Sequence, residues 1–186
     1  MARRRDRGGA RHAPARRLRR SARLRGLRGE LPVSAPDAAN TWPLLIAEVA
    51  NCHGGDEGYL RDLVARLCDG AADAVKFQPI VADEVVSFRH PMREVFESLE
   101  FADGVLADAA AAVRSAGKIA LFDVYGPRSL AIAMAAGAEG LKIHAMDADD
   151  AGLLGAALGT GLPVLLSVGG ATEVELAAAV ETAAGR

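Results

Sequence analysis

Five times after Trp42 a short apolar run closes on polar or ionisable residues and gives way to an amphipathic stretch. A strand buried on both faces of a parallel sheet reads as a continuous apolar run rather than an alternation. Such runs alternating with helical stretches call for right-handed βα units on a parallel sheet. The spacing predicts strands at about Leu44–Ala50, Ala74–Phe77, Ile119–Val124, Gly140–Ile143 and Pro163–Ser167. Helices are expected at about Gly58–Asp69, Gly104–Ser115, Ser129–Ala136, Ala148–Thr160 and Thr172–Ala184, with a short one near Met92–Leu99 inside the long connection from Pro79 to Phe101. Leu60, Leu63, Val64 and Leu67 show the helical period in the first of these. Thr172-Glu173-Val174-Glu175 comes close to a capping box at the start of the last. The pattern fits either a barrel or an open doubly wound sheet. Neither G-x-G-x-x-G after the first strand nor G-x-x-x-x-G-K-[ST] is present, so a dinucleotide fingerprint and a P-loop are both absent.

In α/β folds chemistry gathers at the carboxyl ends of the strands. Those ends carry Glu48, Asn51 and His53, then Lys76 and Gln78, then Asp123 and Tyr125, then Lys142 and His144, then Ser167 with Gly169-Gly170. Two lysines on different strands suit clamps for phosphate or carboxylate. Glu48 beside them suits proton transfer. Ser167 and the glycines offer a hydroxyl and backbone N–H groups to an anion. Each of these groups also has a purely structural use, as an ion pair inside a barrel mouth; their recurrence on successive strand ends favours a site. His53 has no second ligand at a fixed short spacing and reads as a loop-shaping residue. Cys52 has no base beside it in sequence, and Cys68 reads as core. Asp147, Asp149 and Asp150 fit either a cation site or an acidic first helical turn.

The body and the head differ in charge. Residues 1–30 hold twelve arginines against Asp6 and Glu30, whereas the remainder holds ten basic and twenty-two acidic residues. Residues 1–41 are expected to form a disordered Arg-rich extension, followed by one domain over 42–186. The head has no aromatic residue to stack on bases, which argues against a nucleic-acid arm. Two cysteines give no disulfide framework and fit a reducing cytoplasm. No apolar run approaches the roughly 20 residues of a membrane span.

Ile46-Ala47-Glu48 with Asn51-Cys52-His53-Gly54-Gly55-Asp56 resembles the I-A-E-I-G-x-N-H-x-G-D opening of the N-acetylneuraminate (sialic acid) synthase family. Residues Ala71 to Gln78 resemble its A-G-A-D-A-V-K-F-Q, and Phe96 to Phe101 its Y-E-x-L-E-L. Leu141-Lys142-Ile143 sits where the family has K-I-x-S, and residues 161–170 are similar to G-K-P-V-I-L-S-T-G-M. The resemblance runs from about Pro43 onward.

It implies a (β/α)8 barrel of which this chain holds about five βα units, so the fold expected is a partial TIM barrel. It implies condensation of phosphoenolpyruvate with an N-acetylmannosamine-type sugar. Glu48 would then stand near the reacting carbons, and Lys76, Gln78, Lys142 and Ser167 would hold phosphoenolpyruvate. A divalent metal, Mn or Mg, is implied for the full-length family, with its ligands outside this chain; a homodimer is allowed. Cys52 departs from the motif's Asn, and Phe122-Asp123-Val124-Tyr125 stands where the family has S-T-P-F. Ala145 replaces a serine, and Val168 and Gly170 replace threonine and methionine. These changes imply a divergent acceptor sugar or reduced activity. The missing last three strands lead us to expect a fragment. Two other functions fit the same residues: a barrel segment that binds an anion or a partner chain without turnover, or another phosphoenolpyruvate-dependent deoxy-sugar-acid synthase.

Overall fold

The period-two rule for strands decides where every side chain of the sheet points. In the computed structural model, which describes residues 44–184 except Asp103, the five strands are β1 Ile46–Glu48, β2 Ala74–Phe77, β3 Ile119–Val124, β4 Gly140–Ile143 and β5 Val164–Leu166. All neighbours are parallel, and the order is β1-β2-β3-β4-β5. An open doubly wound sheet reverses its strand order at a switch point, whereas a barrel adds each strand beside the last. The sequential order therefore makes this a run of five barrel units. The Arg-rich extension expected over residues 1–41 lies outside the described residues.

Helices α1 Glu57–Asp69, α4 Val105–Ser115, α5 Pro127–Ala135, α6 Ala151–Gly159 and α7 Glu173–Ala184 follow the strands, with α2 Ala82–Val85 and α3 Arg93–Ser98 in the long connection. One face of the sheet meets these helices. Val75 and Phe77, Phe122 and Val124, and Leu141 and Ile143 are fully buried there, together with Leu60, Val64, Ala110, Val113, Ala133 and Ala157 from the helices. Phe77 and Phe122 are register partners whose rings lie 5.3 Å apart. With so few aromatics, small alanines let the helices approach the sheet closely, and aliphatic side chains fill the remaining space. Cys68, expected in the core, is only partly buried and packs against its rim.

The helix boundaries shift where polar side chains claim the first turn. Asp56 accepts from the Tyr59 N–H at 2.8 Å and starts α1 at Glu57. Asp150 accepts from the Leu153 N–H at 2.9 Å, so α6 begins at Ala151 and not at Ala148; a 3-10 turn, Ala145–Asp147, occupies the preceding residues. Thr172 and Glu175 form the reciprocal capping box of α7. The long connection contains two short helices where the sequence suggests one, because Glu100 accepts from the Ala82 N–H and caps α2 from a distance.

Charges also fasten the amino ends of the strands. Lys118 donates to the carbonyls of Gly70 and Ala72, and Arg114 to those of Ala136 and Gly137. Asp73 accepts from the Leu45 N–H, and Glu139 from the Ala120 N–H. At the opposite end, the β1–α1 loop is held by Gly55, at φ +81°, whose missing Cβ would fall 2.1 Å from the Ser98 carbonyl oxygen. His53 is buried in this loop. Its Nδ1 accepts from the Gly55 N–H at 3.0 Å, and its ring packs on Phe101 at 4.5 Å. Burial holds its pKa below the ordinary histidine value. His53 thus shapes the loop.

Candidate functional site

The other face of the sheet is the barrel interior, and its carboxyl end carries charge. Glu48 pairs in register with Lys76, and Asp123 with Lys142. Lys76 Nζ lies 2.7 Å from a Glu48 oxygen and 3.1 Å from Asp123 Oδ2. Lys142 Nζ lies 3.1 Å from Asp123 Oδ1. Gln78 Nε2 donates to Asp123 Oδ2 at 3.0 Å. Glu48, Lys76, Gln78 and Lys142, all expected at the site from the sequence, are therefore one connected group. Its hub is Asp123.

Burial grades along this group. The side chains of Asp123 and Lys76 are 0% and 2% exposed, Lys142 is 18% exposed, and Glu48 is 56% exposed. Burial opposes the charge of Lys76, but hydrogen bonds and attraction from Glu48 and Asp123 outweigh it and hold its pKa above the ordinary lysine value. Lys76 is thus a fixed cation and no nucleophile. Tyr125 stands just beyond β3, with its ring 6.3 Å from that of His144. Burial first, then the negative fields of Asp123, Asp147 and Glu48, push its pKa up, so it stays a protonated phenol. Burial likewise raises the pKa of Asp147, helped by Asp150 and Asp149 and opposed by His144.

Ser167 follows β5, and its backbone N–H donates to the Ile143 carbonyl. Among the described residues its hydroxyl takes no part in the hydrogen-bonded group, so this member of the expected set stands apart. The Cys52 thiol is exposed and donates to the Val49 carbonyl. Asp123 was visible in the sequence as one of the strand-end residues and as a departure from the family's S-T-P-F, but not as the hub. The available signal was its position: it shares the interior face with Lys142, inside a strand otherwise apolar.

An anion reaching the two lysines would share them with carboxylates already in place. Each already has a carboxylate partner. A divalent ion fares no better. Among the described residues no group of three or more His, Cys, Asp or Glu side chains is arranged to hold a metal. Both oxygens of Asp123 are engaged by lysines, and Glu48 is paired with Lys76. These residues do not fit a metal centre. Two clefts lie elsewhere: one of about 410 Å³ between α4 and α5, and one of about 310 Å³ between α1 and α4, both on the helical side. No helix of the described residues is long and apolar enough to cross a membrane.

The loops above the strands are tied together by carboxylates. Glu84 of α2 accepts from the N–H groups of Arg128 and Ser129 at the start of α5. Gly126 makes that approach possible, since a Cβ there would sit 2.5 Å from the Glu84 carboxyl carbon.

The NeuB family model matches residues 63–186, more than half of the chain. Glu48 lies before the matched stretch. Among solved structures, the N-acetylneuraminic acid (sialic acid) synthetase of Leptospira borgpetersenii serovar Hardjo-bovis, in complex with citrate, superposes with a TM-score of 0.72 at 26% identity, over 76% of this chain and 50% of that one. The spore coat polysaccharide biosynthesis protein spsE of Bacillus subtilis gives 0.65 at 22% identity, over 78% and 41%. The phospho-2-dehydro-3-deoxyheptonate aldolase of Thermotoga maritima gives 0.57 at 18% identity, over 76% and 38%. The last two likenesses are of fold. The chain spans half or less of each of these proteins. No curated protein sequence matches it.

Proposed function

Because this chain belongs to the NeuB family, we propose that it contributes to carbohydrate biosynthesis as the anion-holding part of a sialic-acid-synthase-type barrel. The reaction proposed is condensation of phosphoenolpyruvate with an N-acetylmannosamine-type sugar. The enol carbon forms a bond to the sugar's carbonyl carbon. The sugar's carbonyl oxygen takes a proton, water adds to the carbon that bears the phosphate and gives up a proton, and that carbon's bond to the phosphate oxygen breaks as inorganic phosphate leaves. The observation that carries this reading is the connected group of Glu48, Lys76, Asp123, Lys142 and Gln78 on adjacent strand ends.

The roles follow from exposure and donor count. An ammonium has three N–H donors. Lys142 directs one at Asp123 and is partly exposed, so two remain for a carboxylate or phosphate oxygen. Lys76 directs two inward and acts mainly as a buried positive charge beneath the ligand. Glu48 reaches solvent and is the group placed to take or give a proton. Any divalent ion of the family's reaction would be held by residues outside those described. The citrate in the Leptospira relative is consistent with a family that accepts small carboxylates.

The test is phosphate release from phosphoenolpyruvate with and without N-acetylmannosamine, alongside calorimetric titration of phosphoenolpyruvate alone. Sugar-dependent release that disappears in Lys142→Met supports the reaction. Failure to bind phosphoenolpyruvate at millimolar concentration refutes the site.

A further inference from the structure

The mouth of this barrel is an alternating series of charges, Glu48, Lys76, Asp123 and Lys142, whose formal sum is zero. Resting on the reading of this mouth as an anion site, we propose that Asp123 is a specificity-determining residue: a built-in counter-anion that sets how much negative charge a ligand can bring to the two lysines.

Three observations carry the proposal. Asp123 spans both cations, one on each carboxylate oxygen, with Gln78 on the same oxygen as Lys76. Its side chain is wholly buried, so it cannot swing into water to make room. Lys142 alone combines partial exposure with two uncommitted donors. An incoming anion therefore meets Lys142 first, with the Asp123 charge fixed just behind. Repulsion from that charge grows with each negative charge on the ligand, and it acts in a water-poor setting where screening is weak. A singly charged carboxylate loses little. A phosphate, or a molecule carrying both carboxylate and phosphate, loses more. Inorganic phosphate, a product of the proposed reaction, brings its whole charge up against Asp123, which favours its departure.

The variant Asp123→Asn keeps the shape and removes the charge. Pyruvate, phosphoenolpyruvate and inorganic phosphate are titrated calorimetrically into the native chain and the variant, near neutral pH and at fixed ionic strength. Phosphoenolpyruvate and phosphate should bind about tenfold or more tighter to the variant, with pyruvate changing by less than about threefold. An unchanged ratio of phosphoenolpyruvate to pyruvate affinity, or equal weakening of all three, overturns the proposal and leaves Asp123 as a positioning residue only. Binding of no anion to either protein defeats the anion-site reading itself, and this inference with it. Should Asp123→Asn fail to fold, the double variant with Lys76→Met removes one of the two cations that Asp123 balances and restores the formal sum to zero. That protein should return the native selectivity. A shift toward phosphates in it would refute the role of charge.

Discussion

The two ends of the sheet use the same residue types for opposite purposes. At the amino end, Lys118 and Arg114 donate to backbone carbonyls, and Asp73 and Glu139 accept from backbone N–H groups. The charge completes the hydrogen bonding of turns that cannot satisfy themselves. At the carboxyl end, Lys76, Lys142, Asp123 and Glu48 bond to one another. Side chains bonded to backbone have partners that cannot be traded away without unfolding the turn. Side chains bonded to side chains can exchange a partner for a ligand. That difference, rather than the number of charges, separates a fastening from a site.

The largest test of the contrast is Asp123→Ala. It leaves Lys142 without a carboxylate partner and the buried Lys76 with Glu48 alone, and breaking a buried pair from one side costs about 3–5 kcal/mol. Urea unfolding should show a loss of that order. Lys118→Met should cost about 1–3 kcal/mol through the two carbonyls it leaves, and it should leave anion affinity untouched. If Lys118→Met weakened phosphoenolpyruvate binding as strongly as Lys142→Met, the division of the two ends would be wrong.

A second test attacks the loops that roof the carboxyl end. Gly55→Ala meets both a left-handed backbone and a 2.1 Å approach to the Ser98 carbonyl. A destabilisation of about 2–3 kcal/mol is expected, together with weaker anion binding as the β1–α1 loop lifts from α3. Unaltered stability would mean that this loop moves independently of α3.

Protonation offers a smaller effect at the same place. The native pKa of His53 is depressed below 6.5 by burial. Below that value the unfolded chain takes up a proton that the native chain does not, so stability present above pH 6.5 is lost as pH falls toward the native pKa. A His53→Gln variant should flatten that part of the curve. An unchanged slope would show that other groups govern it.

The architecture was legible because the strands are compact apolar runs bounded by glycine or polar residues, and Leu60, Leu63, Val64 and Leu67 give the first helix its period. Strand β2 agrees residue for residue with its expectation, as do β3 and β4. Helix starts were less legible, since Asp150 and Glu100 decide them through hydrogen bonds that periodicity does not encode. The site was half legible. Glu48, Lys76, Gln78 and Lys142 announce themselves at strand ends, but which carboxylate they converge on depends on register between β3 and β4. One residue of slip would turn Asp123 toward the helices. Ser167 shows the converse: its place after a strand was evident, and its standing outside the hydrogen-bonded group was not.

Backbone strain supplies the last and smallest test. Among the described residues Ala50, two positions beyond Glu48, is the one non-glycine residue with positive φ, at +47°. An alanine there costs about 1–2 kcal/mol relative to an ordinary helical or extended backbone. Replacement by glycine relieves that cost and adds about 0.5–1 kcal/mol of unfolded-state entropy to be lost on folding. Ala50→Gly should therefore raise stability by about 0.5 kcal/mol, seen as a higher denaturation midpoint at unchanged slope. The motif that this segment resembles carries glycine at this place. A fall in stability instead would show that the alanine methyl makes packing contacts worth more than the strain. The amino end has no counterpart among the described residues, so the strain lies where the chain must turn abruptly to leave Glu48 facing the interior. That is the pattern expected when backbone is bent to serve a site.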